Sequence, residues 1–159
     1  MARADYAFCQ HILNTGQGGY AVLRQILRRR YALSTPENMP DESYDRGTHR
    51  TVFLSFLNFL KGTLSGQTAI HIDATWCTQA QSLQGFGDFS FPKRVIREVD
   101  LERELPQLLE SIGYTGWPVA LAGVQTDILF EIARIYDSEI QSAAQAAYQR
   151  DYMMLGFKS

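Results

Sequence analysis

The stretch Thr51-Val52-Phe53-Leu54-Ser55-Phe56-Leu57-Asn58-Phe59-Leu60-Lys61-Gly62 constrains this chain more than any other. Its apolar run falls far short of the ~20 residues needed to cross a bilayer. The rest of the chain must therefore bury it. Its length and the closing Gly62 predict a buried helix with a glycine C-cap.

Several segments have the pattern needed to cover that helix. In Tyr20-Ala21-Val22-Leu23-Arg24-Gln25-Ile26-Leu27-Arg28-Arg29-Arg30-Tyr31, the residues Leu23, Ile26, Leu27 and Tyr31 recur on one helical face. Gly16-Gln17-Gly18-Gly19 separates this segment from an earlier one, residues 4–13, also expected to be helical. Residues 101–112 have helical spacing through Leu101, Leu105, Leu108, Leu109 and Ile112, and Gly113 is expected to end the helix. With Thr126 or Asp127 as N-cap, a long helical segment is expected through Ile128, Ile132, Ile135, Tyr136, Ile140, Ala144, Ala147 and Tyr148. Its alanine-rich part is a strong helix former.

Thr68-Ala69-Ile70-His71-Ile72-Asp73 alternates and predicts a short strand, and Lys93-Arg94-Val95-Ile96-Arg97-Glu98 a second. Residues 34–49 carry prolines, acids and a glycine without apolar periodicity, and predict a mobile polar loop. Residues 114–125, with Gly116-Trp117-Pro118, predict another loop. The expected fold is mostly α with a few short strands, in one domain over residues 1–159.

At 159 residues the chain can bury a core without disulfides or metals. Apolar residues at 45% and charged residues at 20% exclude a disordered or fibrous chain. A formal charge of -2 leaves no cationic field for wholesale nucleic-acid binding. The N-terminal Met1-Ala2-Arg3-Ala4-Asp5-Tyr6 leads into no apolar signal region, so a cytoplasmic location is expected. Cys9 and Cys77 cannot build a disulfide scaffold or a four-ligand zinc site. Two reduced, buried thiols are expected, with a single bridge left open.

The chemistry-bearing residues each have two readings. His11, His49 and His71 form no His-x-x-x-His pair, so no metal site is expected. Asn14-Thr15-Gly16-Gln17-Gly18-Gly19 has the small residues of a phosphate loop but no following Lys-Ser or Lys-Thr, and a helix-breaking turn is the better reading. Arg24 and Arg28, one helical turn apart, could hold an anion between planar guanidinium forks. Solvated faces, or cations placed to suit the helix dipole, are the plainer reading. In Asp73-Ala74-Thr75-Trp76-Cys77-Thr78-Gln79, Trp76 could stack on a sugar while Asp73 and Gln79 bind hydroxyls. The plainer reading puts Trp76 in the core and has Asp73 cap the next turn.

Asp73-x-x-Trp76-x-x-Gln79 resembles the Asp-x-His-Trp-x-x-Gln signature of the carbohydrate sulfotransferases related to chondroitin and HNK-1 sulfotransferases, whose bacterial relatives form sulfotransferase family 2. The context is similar too. Phe53-Leu54-Ser55-Phe56-Leu57 resembles the family's Phe-x-x-Phe-Leu helix, and the segment ending in Arg97-Glu98 its strand ending in Glu. Tyr148-Gln149-Arg150-Asp151-Tyr152-Met153-Met154-Leu155-Gly156-Phe157 resembles its closing Tyr-x-x-Asp-Phe-x-x-Phe-Gly-Tyr. The resemblance covers residues 50–157 and implies the C-terminal portion of a P-loop-like α/β fold. It also implies use of 3′-phosphoadenylyl sulfate (PAPS) and sulfuryl transfer to a sugar hydroxyl.

The sequence departs from the family at the donor elements. His11-Ile12-Leu13-Asn14-Thr15-Gly16 echoes the Pro-Lys-Thr-Gly loop, with Asn14 where the family has Lys. Arg3-Ala4-Asp5-Tyr6-Ala7-Phe8 resembles the tail Arg-x-x-Ser-x-Tyr of the second donor element, with Tyr6 at the Ser position. On this alignment the first donor loop is expected ahead of Met1. Thr75 stands at the signature His. The resemblance implies Arg3 as the 3′-phosphate contact and Asp73, Trp76 and Gln79 on the acceptor side. Glu98 is placed where a general base could act, although a strand-end carboxylate is more often structural.

Three functions are therefore expected to compete. The first is a non-catalytic sulfotransferase remnant, with no cofactor, reused as an interaction or structural subunit with a protein partner or a second copy. The second is a PAPS-dependent carbohydrate sulfotransferase completed by another chain. The third is an unrelated helical binding module.

Overall fold

The computed structural model describes residues 2–13, 19–36, 40, 42–87, 94–114 and 130–157, with the side chains of residues 2, 3, 86 and 87 outside the description. It is mostly helical. The chain divides into two compact units, Met1–Ser82 with Asp127–Ser159, and Leu83–Thr126.

The larger unit is organised by α3 (Arg46–Leu64), the segment whose apolar density demanded burial. Asp45 is its N-cap and accepts a hydrogen bond from the Thr48 backbone N–H at 2.7 Å. His49, Val52, Phe53, Phe56, Leu57, Leu60 and Thr63 follow at helical spacing and form the buried face. The helix runs through Gly62, which is not its cap. Gly66 takes the left-handed conformation at φ +75°, and Gln67 N–H and Gly66 N–H donate to the carbonyls of Gly62 and Thr63. This six-to-one, five-to-two pair of bonds closes the helix end.

α1 (Ala2–Ala7) continues into a π-helical turn, Phe8–Leu13, whose Phe8, Cys9, Ile12 and Leu13 are buried. α2 (Gly19–Arg30) packs on that turn and adds Leu27 to the core. α6 (Ser138–Ala147) presents Ile140, Ala144 and Ala147 to the core and packs against α3. Small side chains let the two backbones approach closely. The aromatic residues Phe8, Phe53, Phe56 and Trp76 interlock between these helices.

The long helix expected from residue 128 is shorter. Asp137 interrupts it and caps α6, its carboxylate accepting from the N–H groups of Glu139 and Ile140. Ile132–Arg134 forms only a 3-10 turn. The expected caps Thr126 and Asp127 lie outside the described residues. α7 (Gln149–Leu155) completes the unit and ends at Gly156, φ +63°.

No strand forms among the described residues, which corrects the two strands expected at residues 68–73 and 93–98. In the first, Thr68 Oγ1 accepts from Ile70 N–H and exchanges a hydrogen bond with Thr63 Oγ1. A side chain thus gives the Ile70 N–H an acceptor that a neighbouring strand would otherwise have provided. Ile70 and Ile72 still pack against the core. In the second, Lys93 lies outside the described residues, residues 94–97 take no regular structure, and an extended Arg97 leads into the 3-10 turn Glu98–Asp100.

The loop expected over residues 34–49 already contains the start of α3 and the buried residues Thr35 and Tyr44. In the smaller unit α5 (Leu101–Ser111) has a half-buried leucine face and ends at Gly113, φ +83°, as the sequence predicts. α4 (Gln79–Gly87) begins in the larger unit.

Candidate functional site

The signature segment is a turn built around the Asp73 side chain. Its Oδ1 accepts from the backbone N–H of Thr75 at 2.8 Å and from Thr75 Oγ1 at 2.7 Å. Its Oδ2 accepts from the Tyr20 hydroxyl at 2.8 Å. The Asp73 carbonyl accepts from the N–H groups of Trp76 and Cys77. Burial pushes the carboxyl upward, but the hydrogen bonds from Thr75 and Tyr20, with the nearby His11, outweigh it and hold Asp73 below the usual carboxylate range. Burial, then the Asp73 contact, raises the Tyr20 hydroxyl above its ordinary value.

Trp76 follows the plainer of its two readings. It is 1% exposed, with its ring edge-on to Phe56 and Tyr20 at 6.0 and 6.1 Å. Its face is not open for stacking on a sugar. Tyr148 Oη donates to the Trp76 carbonyl at 3.1 Å.

The segment then enters α4 through a reciprocal cap. Gln81 N–H donates to Thr78 Oγ1 at 3.0 Å, and Thr78 N–H donates to Gln81 Oε1 at 3.2 Å. Thr78-x-x-Gln81 is a capping box whose spacing is legible in the sequence. The first two helical N–H groups go elsewhere. Gln79 N and Ala80 N donate to Asp151 Oδ2 and Oδ1 at 2.9 and 2.8 Å. The two segments that carry the family resemblance, Asp73-x-x-Trp76-x-x-Gln79 and Tyr148-x-x-Asp151, are therefore bonded to each other through both Tyr148 and Asp151.

A cleft of about 440 Å³ opens beside this turn, lined by Tyr20, Leu23, Ile70, His71, Asp73 and Trp76. His11 stacks on Tyr20 with ring centroids 4.3 Å apart. The carboxylate and phenol at this cleft can exchange hydrogen bonds with hydroxyl groups.

The remaining sequence candidates fall in different places. Arg24 is 7% exposed and donates through Nη2 to the Pro36 carbonyl, while Arg28 is exposed. Burial, then repulsion from Arg28, lowers the Arg24 pKa. The two do not present a paired fork to solvent. Arg3 stands in α1, and its side chain lies outside the described residues. Glu98 is exposed at the start of the 3-10 turn in the smaller unit. Residues 14–18 of the glycine-rich segment also lie outside the description.

Cys9 and Cys77 are both free thiols; Cys9 is buried, but Cys77, expected to be buried too, is only half-buried. Cys9 belongs to a constellation that linear spacing does not show. Asp5, Cys9 and His49 converge with their donor atoms within 4.8 Å of one another. The Asp5-x-x-x-Cys9 spacing is the one trace of it in the sequence, and His49 joins only through the packing of α3 on the first helix.

Compared with protein-family models, with curated proteins and with solved structures, the chain matches none.

Proposed function

We propose that the chain is a sulfotransferase-like protein of the family 2 type, in which the signature residues build a scaffold, and that it serves as a non-catalytic interaction subunit. The observation that carries this reading is the bonding of the two signature segments to each other. Asp151 and Tyr148 hold the Trp76–Ala80 turn across 71 or 72 residues of chain. Motifs picked out separately by resemblance meet as one structural unit, which supports a common origin for them. The side chains of Asp73, Tyr148 and Asp151 are also engaged within that unit. Asp73 is held as an anion by three donors, which makes it a poor proton acceptor. Trp76 is core, and Asp151 caps a helix.

Surface for a partner exists in the larger unit. Met153 and Met154 are exposed beside a groove they share with Leu64, Ala146 and Arg150. Methionine adapts readily to a protein surface. A pull-down with the tagged full chain tests the reading. A stoichiometric, salt-resistant protein complex, together with no thermal stabilisation by adenosine 3′,5′-bisphosphate, is expected.

The cleft at Tyr20 and Asp73 favours a second reading, a PAPS-dependent sulfotransferase acting on a carbohydrate hydroxyl, with the donor-gripping loop supplied by another chain. Under it, adenosine 3′,5′-bisphosphate stabilises the chain once that partner is added. Transfer of labelled sulfonate to a glycan by the chain alone would overturn the non-catalytic role.

A further inference from the structure

We propose that Asp5, Cys9 and His49 form an interior binding site for a borderline-soft divalent metal ion, zinc in the first instance. Asp5 stands on α1, Cys9 four residues later on the π-helical turn, and His49 on the first turn of α3. They are 2%, 0% and 0% exposed, respectively.

Two of their atoms need a partner. Asp5 Oδ1 and His49 Nε2 are buried and make no hydrogen bond. They face each other at 3.6 Å, too far for a hydrogen bond of useful strength. Such groups are costly to bury alone. Their separation is close to that of two ligands on one metal. Oxygen and nitrogen ligands at ~2.0–2.1 Å from a tetrahedral zinc stand roughly 3.4 Å apart, and a thiolate at ~2.3 Å widens the edge slightly. The limit of 4.8 Å on all three donors leaves about an ångström of side-chain adjustment to close the set.

The donor types select the ion. One sulfur, one imidazole nitrogen and one carboxylate oxygen suit zinc and its neighbours, not the all-oxygen shells of calcium or magnesium. Charge also balances. A carboxylate and a thiolate cancel a dication, so the loaded site is neutral in an apolar interior.

The surroundings hold the ligands in place. Tyr44 Oη lies 3.2 Å from His49 Nδ1. With that nitrogen protonated and donating to the phenol, Nε2 keeps its lone pair for the metal, the outer-shell arrangement typical of metal-bound histidine. Phe8, Phe53 and Phe130 pack around the imidazole at centroid distances of 5.7, 6.5 and 5.2 Å. The π-helical turn carrying Cys9 is itself a rare geometry found often at functional positions. Full burial points to a structural role, in which the ion fastens the first helix to α3.

The full chain, stripped by chelator dialysis, is titrated with cobalt(II) and then zinc(II). The proposal expects one ion per chain and a thiolate-to-cobalt charge-transfer band that zinc abolishes. At about 100 times Kd, zinc should raise the melting midpoint by roughly 5–10 °C. Cys9→Ser and His49→Gln should weaken binding beyond the ~10–100-fold typical of losing an outer-shell partner. Cys77→Ser should bind normally. No charge-transfer band and no midpoint shift in the wild-type chain overturns the site, even if the core variants fail to fold. Binding lost in Cys77→Ser but kept in Cys9→Ser overturns it equally.

Discussion

Asp151 caps a helix that begins 72 residues before it: its two carboxylate oxygens accept from the N–H groups of Gln79 and Ala80, and its side chain is 4% exposed. Removing the carboxylate leaves two backbone donors without their acceptor, and one of them, the Ala80 N–H, is buried. Asp151→Ala is expected to lower stability by about 2–4 kcal/mol in urea unfolding. Asp151→Asn keeps one acceptor oxygen and should lose less. Equal, small losses for both would show that water replaces the carboxylate and that the cap is not buried in solution.

Trp76 distinguishes a scaffold from a sugar platform. Its ring fills the core against Phe56 and Tyr20. Trp76→Ala is expected to cost ~3–5 kcal/mol of stability. A variant that melts like the wild type but loses binding to a glycan array would instead place the indole at a ligand surface.

Ala32 follows α2 with φ +52°, in the left-handed region that an alanine enters only at a cost. Leu33 N–H donates to the Leu27 carbonyl across it, so the helix end holds it there. Glycine adopts that conformation freely. Ala32→Gly is expected to raise stability by ~0.5–1 kcal/mol, net of the added entropy of the unfolded chain. A fall in the unfolding midpoint would contradict the left-handed conformation.

Stability should decline at both ends of the pH range. The Ile140 backbone N–H and Arg50 lower the Asp137 pKa, the Thr48 N–H lowers that of Asp45, and the Thr75 and Tyr20 bonds overcome burial at Asp73. These carboxylates bind protons more weakly folded than unfolded. Their contribution is complete above pH ~4 and is lost as the pH falls through the folded values. Tyr20, Tyr44 and Tyr152 are raised, chiefly by burial. Their contribution is complete below pH ~10 and is lost as the pH rises through the folded values. Urea midpoints across pH should show Asp73→Asn flattening the acid limb and Tyr44→Phe the alkaline one. Unchanged limbs in these variants would remove those groups from the titration.

Local periodicity made much of the helical framework legible. Leu23 and Leu27 mark the inward side of α2, the phenylalanines of α3 recur at the right spacing, and Gly113 stops α5 where expected. The errors have local physical causes. Ile70 and Ile72 alternate like a strand, but alternation reports burial of every second residue and cannot show whether a partner strand exists. Gly62 looked like a cap because glycine ends many helices, yet Gly66 supplies the left-handed turn. The apolar spacing runs on through Asp137 as if one helix continued, although an aspartate before Ser-Glu is a strong starting signal. The plainer readings of Asp73 and Trp76 matched their geometry. The Asp5–Cys9–His49 constellation could not be read, because forty residues separate Cys9 from His49 and only tertiary packing closes that distance.

The π-helical turn at Phe8–Leu13 carries one residue more than an α-helix of the same rise would need. Deleting one residue there would restore regular i-to-i−4 bonding and yet rotate everything upstream by about 100° relative to Leu13. Asp5 would then swing off the imidazole of His49 even though the helix itself stayed continuous. The reading frame of this one turn, rather than the identity of its residues, sets which side chains meet in the interior.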